Sequence, residues 1–149
     1  MKLTVKRFEE LTLGELYEIL RLRSAVFVVE QTCPYQDIDN KDQAALHLWL
    51  SDEDGIAAYL RVMDRGVYDE EVAIGRVISL RRRRGYALQL LQEGVRVARE
   101  AFGAQLISVE AQVYARSLYE KAGFRQASEE FLEDGIPHIR MLLDCGAKP

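Results

Sequence analysis

The sequence predicts an α/β fold, a sheet with helices on both faces. Three observations predict it. Short β-branched runs, such as Val72-Ala73-Ile74-Gly75-Arg76-Val77-Ile78-Ser79, alternate with stretches of helical period, such as Leu88, Leu91, Val95, Ala98 and Phe102. Turn residues mark the joins, as in Asp52-Glu53-Asp54-Gly55 and at Gly103 and Gly123. Finally, 149 residues, 48% of them hydrophobic, suffice for one domain with a real core, which sets a single domain over residues 1–149 as the expectation.

Each element has its own local reason. Leu3 to Phe8 alternates apolar and polar residues, as a half-buried strand does. Thr12-x-x-Glu15 is a capping box, so a helix should start near Thr12 and bury Leu16, Ile19, Leu20 and Phe27. Pro34 and the acidic stretch to Asp42 break that pattern into a loop. Ala44 to Ser51 and Ile56 to Met63 read as a hairpin across the Asp52–Gly55 turn. The strand over 72–79 and the helix beginning near Leu88 follow. Gln105 to Ala111 is the next strand, and Gln112 to Ala122 a helix closed by Gly123 in the left-handed position. Phe124 to Ser128 and His138 to Leu143 end the chain as strands.

Composition excludes several classes. A net charge of −4 argues against a nucleic-acid binder, so the run Arg81-Arg82-Arg83-Arg84 is a local feature. No basic start is followed by an apolar stretch, and no run nears the ~18 apolar residues of a membrane span, so a cytoplasmic protein without membrane partners is expected. Cys33 and Cys145 lack the spacing of a metal site, so no metal is expected and reduced thiols are the default. Nucleophile-elbow and complete dinucleotide fingerprints are missing.

The Arg run carries the chemistry. A strand, a basic Gly-containing turn and a helix make a phosphate site. The first helical amides have no internal partners, and the helix dipole adds positive potential at the same end. Gly85 and Ala87 are small enough for a ligand to approach that backbone, and Arg82, Arg83 and Arg84 supply forked donors.

These residues carry a family resemblance. Arg82-x-x-Gly85-x-Ala87 resembles the turn with which GNAT acyltransferases hold the pyrophosphate of acetyl-coenzyme A. Ala115-x-x-Leu118-Tyr119-x-x-x-Gly123-Phe124 resembles the superfamily's later helix, with Gln112 at its Asn position. The strings 22–39 and Glu133-Asp134-Gly135-Ile136-Pro137-His138-Ile139 resemble its ElaA-type branch. The resemblance implies a mixed twisted sheet of six to seven strands whose central pair, ending near Ser79 and Glu110, splays apart. It implies acetyl-CoA as co-substrate and N-acetyl transfer to a small-molecule or peptidyl amine. By the same resemblance, Val77, Ile78 and Ser79 pair with the pantetheine arm. Arg82, Arg83, Arg84, Gly85, Tyr86, Ala87, Leu88 and Gln112 complete the cofactor site, and Tyr119 is the acid for the leaving thiolate. A homodimer is compatible with the chain.

An amine resembles lysine, with a pKa near ~10, so something must accept its proton. Glu110, at the end of its strand, His138, after a tight turn, and Glu30 are the leading candidates for that base. Asp37, Asp39 and His47 are further ones. Arg23, Glu30, His47 and His138 are expected around the acceptor, and the acidic 30–42 loop is expected to attract a cation. Two alternatives stay open. One is a non-catalytic acyl-CoA sensor, which would have no need of Tyr119. The other is a longer acyl donor, suggested by the resemblance of Val26-Phe27-Val28-x-Glu30 to acyl-homoserine lactone synthases.

Overall fold

The computed structural model describes residues 1–80 and 85–146. Among them, eight strands form one sheet: β1 (Lys2–Arg7), β2 (Ala45–Asp52), β3 (Gly55–Met63), β4 (Val72–Ser79), β5 (Leu106–Gln112), β6 (Arg125–Gln126), β7 (Phe131–Glu133) and β8 (Ile136–Asp144). Their spatial order is β1-β2-β3-β4-β5-β8-β6, with β7 also paired to β8. Every pairing is antiparallel except β4 with β5. Three α-helices accompany the sheet: α1 (Leu13–Arg23), α2 (Tyr86–Phe102) and α3 (Arg116–Lys121).

Strand alternation sends successive side chains to opposite faces. Leu48, Leu50, Leu60, Val62 and Ile74 face α2, where they meet Leu90, Leu91, Val97 and Ala98. Trp49, Tyr59 and Ile78 face α1 and meet Ile19 and Leu22. Each such burial stabilises the fold by roughly 1.5–3 kcal/mol. Helix α2 sits close on the sheet at Gly94, where a Cβ would lie 3.2 Å from Leu60 and 3.3 Å from Ile74.

The Thr12 capping box forms: the Glu15 amide donates to Thr12 Oγ1 at 3.0 Å, and the Thr12 amide donates to Glu15 Oε1 at 2.9 Å. Four local expectations need correction. The apolar stripe beyond Arg23 continues as a π-helical segment over Ser24–Glu30. The strand expected over 124–128 shrinks to β6, and β7 is an eighth strand. Both lie along β8, where the chain leaves the edge between them. The helix expected from Gln112 begins only at Arg116, because β5 stays paired with β8 as far as Gln112↔His138. A 3₁₀ turn over Val113–Ala115 makes the join. Among the described residues, no helix is long and apolar enough to cross a membrane.

Strands β4 and β5 pair only at Val72↔Ile107 and Ala73↔Ser108. Beyond that point β4 follows β3 to Ala58↔Ser79, while β5 follows β8. The divergence coincides with a register step between Tyr59 and Arg61, where β4 holds one extra residue. Arg76, at this bulge, has a left-handed φ of 52°. A bulge bends its strand and sharpens its twist. Val77, Ile78 and Ser79 therefore present one backbone edge to open space.

Candidate active site

A cavity of about 560 Å³ lies in this opening. Val77, Ile78, Ser79 and Ala87 line its first end, Tyr119, Leu118 and Ala115 lie along its floor, and Tyr68, Glu133, Asp134, Ile136 and His138 line the far end. At the first end, Gly85 precedes α2 with φ 71°, a conformation that disfavours other residues, and a Cβ there would meet nothing within 4 Å. Ala87, in the first turn of α2, lines the cavity. Arg82, Arg83 and Arg84 lie outside the described residues, and Tyr86 packs against the core.

Tyr119 is placed by the end of α3. Gly123, at φ 102°, lets the Phe124 amide turn back to the Tyr119 carbonyl at 3.0 Å. The Tyr119 ring meets Phe124 edge-on, with centroids 6.0 Å apart. Only 7% of Tyr119 is exposed, yet its hydroxyl has no hydrogen-bond partner among the described residues. Burial pushes its pKa up, so the phenol stays protonated.

The far end is built by the β7–β8 hairpin. His138 Nδ1 lies 2.7 Å from the Ile136 carbonyl, which can only accept, so Nδ1 carries the hydrogen. Nε2 then faces Glu133 Oε2, 3.9 Å away. Phe131 stacks on the imidazole at 6.0 Å. Across the opening, Tyr68 donates to Glu110 Oε2 at 2.6 Å. Burial and then the neighbouring carboxylates Glu110 and Asp134 push the Glu133 carboxyl up to about 7.

Residues 16–145 match the sequence profile of the acetyltransferase (GNAT) domain. The chain belongs to the GNAT acetyltransferase family. It is 36% identical over 148 residues to a UPF0039 protein of Schizosaccharomyces pombe, covering 97% of each chain. The structure of Escherichia coli ElaA matches with a TM-score of 0.88 and 34% identity, over 97% of this chain and 100% of that one. An acyl-CoA N-acyltransferase from Pseudomonas aeruginosa matches with a TM-score of 0.88 and 38% identity, over 96% of this chain and 99% of that one. The ElaA-type branch of the family is thereby its place.

Several residues of this GNAT chain stand elsewhere than the sequence suggested. Arg23, expected at the acceptor, is fully buried behind the cavity wall. Its Nε meets Asp37 Oδ2 at 3.1 Å and its Nη1 meets Asp42 Oδ1 at 2.6 Å. His47 is also fully buried, between the Tyr59 hydroxyl at 2.7 Å and the Asp42 carbonyl at 2.9 Å, and burial lowers its pKa. Neither lines the cavity. Glu30 is exposed on the π-helical segment and does not line it either. Gln112 exchanges amide hydrogen bonds with Gln31 at 3.2 and 3.5 Å, bridging β5 to the residue that caps that segment, within the cavity lining.

The acidic loop is not a solvated cation trap. Asp37, Asp39 and Asp42 bind the guanidinium groups of Arg23, Arg61 and Arg76. Burial opposes ionisation of Asp39, but hydrogen bonds from Arg61 and the charges of Arg61 and Arg76 hold its carboxyl down at about 2. Arg76 also lies over the Tyr35 ring, 5.4 Å from its centre. The bulge on β4 is thus tied to the loop whose Tyr35 and Asp39 line the cavity. Glu133 escaped the sequence reading. Its one visible sign was membership of the Glu133–Ile139 string, in which only His138 was singled out.

Proposed function

We propose that this chain transfers an acetyl group from acetyl-CoA to a primary amine, by direct attack of the amine on the thioester. The observation that carries the reading is the opening between β4 and β5, with a free strand edge and a glycine-headed helix at one end and Tyr119 beneath it. Val77, Ile78 and Ser79 present the edge that suits the amide-bearing pantetheine arm. The amides following Gly85 suit its pyrophosphate. A strand amide directed at the thioester oxygen stabilises the developing charge by roughly 3–4 kcal/mol in comparable sites.

Tyr119 serves the leaving thiolate. A thiol has a pKa near ~8.5 and a phenol near ~10, and burial raises this phenol further. Tyr119 therefore donates a hydrogen bond as the C–S bond breaks and passes its proton late. The carboxylates of Glu133 and Asp134 at the far end favour a cationic acceptor, either a small amine or a peptidyl one. The reading is of a single cytoplasmic catalytic domain.

The test is acetyl-CoA consumption, followed as free thiol, with polyamine, arylalkylamine and amino-acid acceptors. The wild type is expected to turn over at least one of them. Tyr119→Phe is expected to lower kcat by about 10²-fold with little change in CoA affinity by calorimetry. Equal loss of thermal stability and of CoA binding would make Tyr119 a packing residue.

A further inference from the structure

We propose that Glu133, which lines the cavity beside His138, is the base that takes the proton from the acceptor ammonium. The inference rests on the acyltransferase reading and adds a residue to it. Glu133 and His138 line the same cavity as Tyr119, a residue only 7% exposed. That cavity therefore brings a phenol, an imidazole and a carboxylate together.

Charged and titratable groups face Glu133 from several elements. Glu110 reaches it from β5, itself pinned by the Tyr68 hydroxyl at 2.6 Å. Asp134 follows it in the turn. Arg76 on β4 acts in the opposite sense. His138 on β8 turns Nε2 toward it. Arg76, however, is committed to Asp37 at 2.9 Å, so burial and then the neighbouring carboxylates prevail, and the carboxyl is pushed up to about 7. A base is most effective with its pKa near the working pH.

The protons balance. Glu133 removes one proton from R–NH₃⁺ and releases it to solvent. The free amine lone pair forms the C–N bond, and the C–S bond breaks. The second proton leaves nitrogen as the intermediate collapses, while the thiolate gains one through Tyr119. The products are the amide, the free thiol and one proton in solution.

The experiment measures kcat/KM against pH for wild type, Glu133→Gln, Glu110→Gln and His138→Gln, with putrescine, tyramine and a lysine-containing peptide. A ¹³C carboxyl titration of the same proteins accompanies it. Glu133→Gln should lose about 10²-fold in kcat/KM at pH 8 and lose the acid limb of the profile. Glu110→Gln removes the like charge, so the limb should move to lower pH, together with a carboxyl resonance that Glu133→Gln abolishes. A wild type active on an amine, with the limb unchanged in Glu133→Gln or lost only in His138→Gln, overturns this inference alone. A wild type inactive on every amine overturns the acyltransferase reading and this inference with it.

Discussion

Carboxylates stand on both sides of the cavity, in opposite company. On the loop side, Asp37, Asp39 and Asp42 are interleaved with Arg23, Arg61 and Arg76, and Asp39 is held down at about 2. On the hairpin side, Glu133 faces Glu110 and Asp134 and is pushed up to about 7. Both environments are partly dry, so burial alone does not separate them. The nearest charges do. The first group therefore favours the charged carboxylates, and the second favours a carboxyl that keeps its proton longer. An acidic side chain counted in the sequence carries neither meaning until its neighbour is known.

The largest effect should come from breaking the first group. Arg61→Met leaves Asp39 and Asp42 without the guanidinium that both contact, and a half-broken buried ion network typically costs roughly 3–5 kcal/mol. Urea unfolding with an unchanged m-value is the measurement. A loss below about 1 kcal/mol, the range of exposed pairs, would mean that water solvates the network.

A smaller effect should appear in acid. Asp39 has its folded value at about 2 and an ordinary value of 3.8. Its contribution is present above the ordinary value and disappears as pH falls from 3.8 through about 2. The melting temperature should drop more steeply over that window in wild type than in Asp39→Asn. Parallel curves would show that Asp39 does not prefer its charged form in the fold.

The smallest effect should have the opposite slope. Glu133 has a folded value near 7 against an ordinary 4.5, so the folded state keeps its proton longer. Its contribution is fully present below the ordinary value and is lost as pH rises through the folded one. Stability should sag between pH 4.5 and 7, and Glu133→Gln should flatten that sag. The Glu133 side chain is 43% exposed, so solvent screening keeps the change small. A sag that persists in Glu133→Gln would assign it to another group.

Legibility in the sequence followed the range of the interaction. The Thr12–Glu15 box, the Asp52–Gly55 turn and Gly123 act within a few residues, and each sits where its local chemistry predicts. The end of the helix that carries Tyr119 was legible as well, since Gly123 sits close to it in the chain. Arg61 was not. It sits within a strand, and its partners Asp39 and Asp42 are 22 and 19 residues away. The three residues of β7 are too few for a periodic signal, and they form a strand because β8 offers an edge. The π-helical segment hid behind Val26, Phe27, Val28 and Val29, an apolar run compatible with more than one helical winding. Glu133 is not legible because its character comes from burial and from Glu110, 23 positions earlier.

The two-rung contact between β4 and β5 has a mechanical side. Six rungs join β1 to β2 and seven join β5 to β8, but only Val72↔Ile107 and Ala73↔Ser108 link the left half of the sheet to the right. A load applied across the strands concentrates on that short seam. The cavity is then a notch already cut at its end, and a tear would start at Ala73 and Ser108 and run toward Val72 and Ile107. A co-substrate lying along the free edge of β4 would act as a stitch across the notch. Resistance to pulling, measured one molecule at a time, should therefore rise when the site is filled, although the gap itself is bridged by no covalent bond.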